Sequence, residues 1–222
     1  MIILHEDMSI AAKEAQDIAQ QLESVYGFDS QLVSANLRDF LPWISDTEIL
    51  STSLKLRDRL KADYPKREVL VLTPIDILEG RNTKTIDRNE DWLFGYSIGN
   101  LSMISTARLQ GNLWRLKLLT VGEIGWGVID PKHQRAHYQE ASYVDAKTDS
   151  VTELGPHCTN NHCAMYPVVD ICSPRRNIGF LQLGNKKRYD AGLDDLLERI
   201  IDNDDWLCPD CRSAVKVSNA YR

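Results

Sequence analysis

Four of the five cysteines stand in two pairs whose spacing suits a bound metal ion. Cys158 and Cys163 enclose four residues, and Cys208 and Cys211 enclose two. A short turn brings both sulfurs of a pair to the same side, and two such pairs complete the closed tetrahedral site typical of structural zinc. The pattern predicts one structural Zn²⁺ on these four residues. Four free thiols with accidental spacing are the alternative.

Two neighbouring residues are not needed as ligands. Cys172 has no partner at a useful spacing, so we expect it to be a small buried residue. His162 adjoins Cys163 and could replace a thiolate, but four cysteines already suffice, so we expect it at the surface. In a reducing compartment, cysteine pairs at these spacings favour a metal over disulfides.

The elements that must position these residues alternate between strands and helices, which predicts an α/β layer with a helical, metal-bound C-terminal part. Strands are predicted at Met1–His5, Glu68–Thr73, Trp92–Ile98 and Leu101–Thr106. Helices are predicted at Ser9–Tyr26, from Ser45 (with Glu48 at capping-box spacing) toward Leu60, at Gln110–Trp126 and around Leu193, Leu196, Leu197, Ile200 and Ile201. Gly27 stands where a left-handed cap would end the first helix. Leu78–Glu90 is expected to be a loop, and the polar segment 130–152 an insertion.

Composition restricts the class of protein. The chain has 222 residues, of which 43% are hydrophobic and 26% charged, which suits one compact domain. Its formal net charge of −6 disfavours sequence-independent binding to nucleic acid. Acid follows the N-terminus too early for a signal peptide, and no stretch reaches the roughly 18–20 apolar residues of a membrane span. We expect a cytoplasmic protein without a membrane partner.

The cysteine segment resembles the C-terminal signature of the archaemetzincins. In that family the zinc motif HExxHxxGxxHC runs into CxxxxCxM and then CxxC, and here HCTNNHCAM begins at His157 and CPDC at Cys208. The segments VLVLTPIDIL, WLFG and STARL are similar to the family's sheet. The resemblance implies a metzincin-like mixed sheet with packed helices, as one domain over residues 1–222. It also implies a C-terminal structural zinc lobe over residues 157–211, with Met165 as the Met-turn residue below a catalytic site.

The catalytic half of the family motif is broken in this chain. Where the resemblance places His-Glu-x-x-His, the sequence has Gly122-Glu123-Ile124-Gly125-Trp126, so the glutamate is kept and both helix histidines are replaced. Imidazoles at positions i and i+4 of a helix are needed to hold the catalytic ion, and His157 alone remains. The Trp126 indole beside Gly122 could fill the space left by the metal, or it could simply pack in the core.

A relocated catalytic zinc is the alternative. His133 and His137 are four residues apart in the 130–152 segment, and with His157 they supply three imidazoles. Gln134 stands where a general base is needed and cannot accept a proton, so Glu123 or Glu140 would have to replace it. Two histidines in a polar segment are more often solvated surface residues.

Three functions follow from these observations. The leading hypothesis is a catalytically inactive archaemetzincin relative that binds one structural zinc and an unknown peptide or protein ligand, as a binding or regulatory module. The second is an active zinc metallopeptidase with the relocated histidines. The third is a zinc ribbon that contacts nucleic acid, through the basic residues Arg175, Arg176, Lys186, Lys187 and Arg188, although such clusters are usually solvated.

Overall fold

The computed structural model describes most of the chain and places its regular elements as follows. The described residues are 1–5, 12–35, 50–51, 54–65, 67–74, 77–78, 92–93, 95–107, 109, 111–145, 149, 151–168, 179–188, 192–201 and 205–215. The helices are α1 (Ala12–Tyr26), α2 (Leu54–Asp63), α3 (Leu113–Val128), α4 (Pro131–His137), α5 (Leu193–Ile201) and α6 (Pro209–Ser213). The strands are β1 (Ile2–His5), β2 (Gln31–Ser34), β3 (Leu50–Ser51), β4 (Val69–Thr73), β5 (Ile77–Leu78), β6 (Trp92–Leu93), β7 (Gly95–Ile98), β8 (Leu101–Ser105), β9 (Tyr138–Asp145), β10 (Val151–Cys158), β11 (Gly179–Leu183) and β12 (Lys186–Arg188).

The chain divides into two compact units, Met1–Gly127 and Val128–Ser218. The first contains a five-stranded sheet in the order β2-β1-β4-β8-β7. Its first four strands are parallel, and β7 pairs with β8 in the antiparallel direction. Strands β1, β4 and β8 are buried along their whole length, which explains their continuous apolar character. The predicted mixed α/β fold class is confirmed.

The first predicted helix is confirmed over the residues that the structure describes. Ala15, Ile18 and Leu22 of α1 are buried, as their spacing predicts. Gly27 has a φ of +72°, and its backbone N–H donates to the carbonyl of Glu23 at 2.8 Å. A left-handed glycine therefore ends the helix, because this conformation strains residues that carry a Cβ.

The second predicted helix begins later than the sequence suggests. The structure has β3 at Leu50–Ser51, paired in parallel with β5, and the helix α2 begins at Leu54. The sequence at positions 51–53 is Ser-Thr-Ser, and such hydroxyl residues favour a helix start over a helix interior. Ser45 and Glu48, the predicted capping box, lie outside the described residues.

The predicted strand Trp92–Ile98 is divided between two sheets. Strand β6 pairs with β5 in a small three-stranded sheet of the order β3-β5-β6, whereas β7 belongs to the large sheet. Leu78 lies in β5, so the predicted loop begins after it, and the rest of that loop falls outside the described residues. The helix predicted at 110–126 is α3, observed over Leu113–Val128.

The second unit contains an antiparallel sheet that the sequence analysis missed. Its order is β10-β9-β11-β12, so the predicted C-terminal part is not mainly helical. Most of the polar segment 130–152 is regular structure, with α4 followed by β9 and the start of β10. Asp130 caps α4 through a 2.7 Å hydrogen bond from the Lys132 N–H. The polarity that suggested an insertion is consistent with an antiparallel strand, because such a strand can keep one face in water.

The last predicted helix is confirmed as α5. Leu193, Leu196, Leu197 and Ile200 are buried, and they form one stripe of an amphipathic helix. Among the helices that the structure describes, none combines the length and the apolar character needed to cross a lipid bilayer.

Candidate metal centre

The four predicted cysteine ligands meet in the second unit. Cys158 is the last residue of β10, and Cys163 lies in the turn that follows it. Cys208 occupies the N-cap position of α6 and Cys211 lies inside that short helix, after Pro209 at its first turn. Proline suits this position because its fixed φ matches the start of a helix and no N–H is needed there.

The geometry of the four sulfurs fits a tetrahedral ion. All four Sγ atoms lie within 4.8 Å of one another, and all four residues are buried. The Sγ atoms of Cys158 and Cys208 are 3.8 Å apart. Zn–S bonds of about 2.3 Å in a tetrahedral arrangement place sulfurs about 3.8 Å apart, whereas a disulfide needs about 2.0 Å. The cluster therefore could hold zinc, and it contains free thiols rather than disulfides.

The four thiols do not ionise alike. Hydrogen bonds with the other three sulfurs, together with burial, raise the pKa of Cys163 well above its ordinary value. Hydrogen bonds from Cys158 and Cys163 lower the pKa of Cys208. The Cys208 sulfur therefore takes negative charge more readily than the Cys163 sulfur. Adjacent like charges repel each other in a buried site, so the four thiols do not all ionise together. A divalent cation among the sulfurs would allow all four to be thiolates.

Backbone hydrogen bonds hold the two cysteine pairs together. The N–H of Cys158 donates to the carbonyl of Met165 at 3.0 Å, and the N–H of Ala164 donates to the carbonyl of Trp206 at 2.8 Å. The second bond joins the turn that carries Cys163 to the residues just before Cys208. The relative position of the pairs is thus fixed by the backbone as well as by any ion.

Tyr138 is a contact of the centre that sequence reasoning missed. Its phenol oxygen lies 3.5 Å from Cys211 Sγ, and both residues are buried. Burial, followed by the hydrogen bond to Cys211, raises the pKa of this phenol, which therefore stays protonated. The two residues are far apart in sequence, so no local motif signals their contact. The pairing of β9 with β10 sets Tyr138 opposite Cys158, and a β-bridge between Ile129 and Val215 ties the chain before Tyr138 to the residues just after α6.

Other candidates around the cysteines are placed as follows. His162 is exposed, and its Nδ1 lies 3.3 Å from the carbonyl oxygen of Arg199, so the expectation of a surface histidine is confirmed. Cys172 lies outside the described residues, as do Arg175 and Arg176. Lys186 and Lys187 are exposed, and the Lys187 ammonium lies 4.4 Å from the centre of the Phe180 ring.

The retained glutamate of the broken motif contacts the sheet of the first unit. The Ser97 hydroxyl lies 2.9 Å from Glu123 Oε2 and 2.6 Å from the Glu123 backbone carbonyl oxygen. The same hydroxyl lies 2.8 Å from the Ser102 hydroxyl. A Cβ built on Gly95 would lie 2.9 Å from Glu123 Cγ, so the glutamate packs over a glycine. Burial raises the pKa of Glu123 to about 7, although the Ser97 hydrogen bond acts in the opposite direction.

The remaining residues of the broken motif lie on both units. Gly122 and Trp126 are on α3 of the first unit, four positions apart and both partly exposed. His157 and Met165 belong to the second unit, where Met165 is buried. His157 Nδ1 lies 3.1 Å from the Gly155 carbonyl oxygen, and burial lowers the pKa of the imidazole, so the neutral form is favoured.

The three histidines of the alternative site do not form a ligand cluster. The rings of His133 and His137 stack with their centres 4.4 Å apart. Within the described residues, the only group of three or more histidine, cysteine or acidic side chains with converging ligand atoms is the four-cysteine set. His157 is therefore not brought together with the other two imidazoles.

Comparisons with known proteins show the fold. No protein-family model matches the sequence, and no curated protein matches it. The structure is similar to the archaemetzincin of Archaeoglobus fulgidus, with 15% identity, 97% of this chain and 100% of that chain covered, and a TM-score of 0.50. It is also similar to the archaemetzincin of Methanopyrus kandleri, with 14% identity, coverage of 96% and 90%, and a TM-score of 0.50. A zinc-dependent peptidase from Methanocorpusculum labreanum aligns at 16% identity over 96% of this chain and 99% of that one, with a TM-score of 0.48.

These similarities confirm the expected resemblance at the level of the fold. The chain spans nearly the whole of both archaemetzincins, so the likeness is not confined to the cysteine segment. The fold of this protein is archaemetzincin-like.

Proposed function

We propose that this protein is a catalytically inactive relative of the archaemetzincins that binds one structural zinc ion and acts as a peptide- or protein-binding module. The observation that carries the proposal is the difference in available ligands between the cysteine cluster and the catalytic helix. Four buried sulfurs converge within 4.8 Å, whereas the two helix positions of the catalytic motif hold Gly122 and Trp126. Neither replacement offers a side-chain atom that binds zinc.

The structural zinc is supported by the geometry of the sulfurs and by their burial. A site closed by four thiolates has no open position for water, so zinc there stabilises the fold and does no chemistry. In a reducing compartment cysteine pairs at these spacings favour a metal over disulfides, and we propose a cytoplasmic location on that ground.

The absence of catalysis is supported by the position of Glu123. In the family motif this residue is a general base for zinc-bound water, and a pKa near 7 would suit that task. Here its carboxylate instead accepts a hydrogen bond from Ser97 and packs over Gly95. Without two helix imidazoles there is no bound water for it to activate, so we propose a structural role for this carboxyl group.

A binding role is supported by the position of β7. This strand is last in the order of the described five-stranded sheet, so one of its edges is not paired within that sheet. An extended peptide can add to such an edge through backbone hydrogen bonds. We propose a peptide or protein partner at this edge, and no nucleic-acid partner, because the net charge is −6.

Metal analysis of the purified protein tests the proposal. We expect about one zinc per chain, its loss in Cys208→Ser, and no cleavage of a random peptide library. Two tightly bound zinc ions, with chelator-sensitive cleavage that disappears in His157→Ala, would establish the relocated-ligand peptidase instead. His162→Ala is the matched control, because this exposed histidine neighbours the centre without belonging to it.

The partner is tested separately. Peptides selected from a displayed library should protect the backbone amides of Gly95–Ile98 from hydrogen exchange. Protection confined to other strands would contradict binding at the β7 edge and leave the zinc assignment intact.

A further inference from the structure

Tyr138 belongs to the part of the chain that the sequence marked as an insertion, yet it contacts the candidate metal centre. Its hydroxyl lies 3.5 Å from Cys211 Sγ. This distance suits a hydrogen bond to sulfur, whose larger radius lengthens the contact relative to one with oxygen. When Cys211 is a thiolate the phenol must be the donor, because a thiolate has no proton to give.

The phenol is held in place from several directions. Tyr138 stands opposite Cys158 in the β9–β10 ladder, so its backbone is tied to another ligand. The His133 ring meets the Tyr138 ring edge to face, with centres 5.8 Å apart and planes at 83°. These contacts restrict the orientation of the Tyr138 ring, to which the hydroxyl is attached.

The backbone also joins the segment before Tyr138 to the segment after Cys211. The N–H of Asp130 donates to the carbonyl of Ala214 at 2.9 Å, and Ile129 forms a β-bridge with Val215. Asp130 caps the helix α4 that leads to Tyr138, and Ala214 is the C-cap of the helix α6 that carries Cys211. The donor and its sulfur acceptor are therefore attached to one connected set of elements.

We propose that Tyr138 is a positioning residue of the zinc site, which donates a hydrogen bond to the Cys211 thiolate and thereby slows release of the metal. The proposal rests on the zinc site proposed above. A hydrogen bond to a bound thiolate withdraws electron density from sulfur and holds that sulfur in its ligand position. Partners of metal ligands typically change metal affinity by about 10–100-fold when they are removed.

A purely structural role makes a different prediction. If Tyr138 only fills space beside α6, then Tyr138→Phe keeps the ring and the packing and leaves the metal site unchanged. If the hydroxyl acts on the sulfur, the same variant keeps the fold but alters the electronic state of one ligand. The readout must therefore report on sulfur rather than on stability.

The test uses the full chain, loaded with Zn²⁺ for release kinetics and with Co²⁺ for spectroscopy. In Tyr138→Phe we expect zinc transfer to a chromogenic chelator to be about tenfold faster. We also expect the thiolate-to-cobalt charge-transfer band to move to longer wavelength, because a sulfur without its hydrogen bond gives up electrons more easily. Tyr143→Phe is the matched control, since this tyrosine lies on the same strand with its hydroxyl against Gly179.

A second measurement avoids any change of fold. Incorporating 3-fluorotyrosine makes each phenol a stronger donor, so the band of the wild-type chain should move to shorter wavelength, while labelled Tyr138→Phe should not respond. Unchanged release and unchanged bands in both experiments would overturn the role of Tyr138 alone. A wild-type chain that binds no zinc would overturn the zinc site and this inference together.

Discussion

The two regions that the family motif would join have different chemistry in this protein. In the second unit, four cysteines from two separate segments bring their sulfurs within 4.8 Å, with backbone bonds and Tyr138 around them. On α3 of the first unit, the two metal-binding positions hold Gly122 and Trp126, and the remaining glutamate is bonded to the sheet. Among the described residues, the four cysteines thus bring together a ligand set that suits a structural ion, whereas the two helix positions of the motif carry no zinc ligand.

The two kinds of site depend on different forces. In the sulfur cluster, a cation would relieve the repulsion between neighbouring thiolates. The Glu123 carboxylate instead accepts a hydrogen bond from the Ser97 hydroxyl. Removing zinc should therefore affect the second region strongly and the first hardly at all.

Cys208→Ser should have the largest effect. It replaces a thiolate by a hydroxyl that binds zinc poorly, and zinc is worth about 10–16 kcal/mol of folding free energy in small zinc-finger peptides. We expect loss of the ion and destabilisation of the second unit by several kcal/mol, measured by urea unfolding with zinc analysis. If this variant keeps one zinc and wild-type stability, Cys208 is not a ligand.

Glu123→Gln should change the pH dependence of stability in the first unit. The pKa of Glu123 is raised from 4.5 to about 7 by burial, so the folded state holds this proton more tightly than the unfolded chain does. The free energy of unfolding should therefore fall as the pH rises between these two values, and then level off. Since the residue is partly exposed, we expect the decline to amount to about 2 kcal/mol.

The measurement is chemical unfolding at pH 5, 6, 7 and 8 with zinc present throughout. Glu123→Gln should lack this decline and should exceed the wild type most at pH 8. Glu153→Gln, at an exposed position of the second unit, is the matched control and should follow the wild-type curve. If Glu123→Gln shows the same pH profile as the wild type, the Glu123 carboxyl group of the wild type is not held in a desolvated site.

Gly95→Ala tests how tightly the glutamate packs on the sheet. The added Cβ would lie 2.7 Å from the Met103 carbonyl oxygen and 2.9 Å from Glu123 Cγ, and the backbone atom cannot easily move. We expect a loss of about 1–2 kcal/mol in thermal or urea unfolding, within the range for overpacked sites. Equal stability of Gly95→Ala and the wild type would contradict this close packing.

Gly127→Ala is the control for this substitution. A Cβ at Gly127 would meet the Gly99 carbonyl oxygen at 3.4 Å and Glu68 Oε2 at 3.6 Å, which are ordinary contacts. Because alanine favours a helix over glycine, this variant should keep or slightly increase the stability.

Sequence reasoning succeeded where the signal lies within a short stretch of chain. The apolar runs of β1 and β4, the stripe of α1 and the spacing of the cysteines all reflect local geometry, and each led to the observed element or cluster. It failed where pairing partners decide the outcome. Trp92–Ile98 has one strand pattern, yet its halves pair in different sheets. The contact between Tyr138 and Cys211 likewise joins residues that are 73 positions apart in the sequence.

Ser97→Ala should have the smallest effect of these substitutions. The Ser97 hydroxyl donates to the carboxylate, and this bond lowers the pKa of Glu123 against the effect of burial. Removing it should raise that pKa further, extend the pH range over which stability declines, and cost about 1 kcal/mol above neutral pH. Ser102→Ala should shift the range less, because that hydroxyl lies 3.4 Å from the backbone carbonyl oxygen of Glu123, whereas the Ser97 hydroxyl contacts the carboxylate itself. Combining Ser97→Ala with Glu123→Gln should remove most of the pH-dependent part of the loss, since the two groups act as a pair. If the losses instead add at every pH, then the serine stabilises the sheet independently and the carboxyl group is held by burial alone.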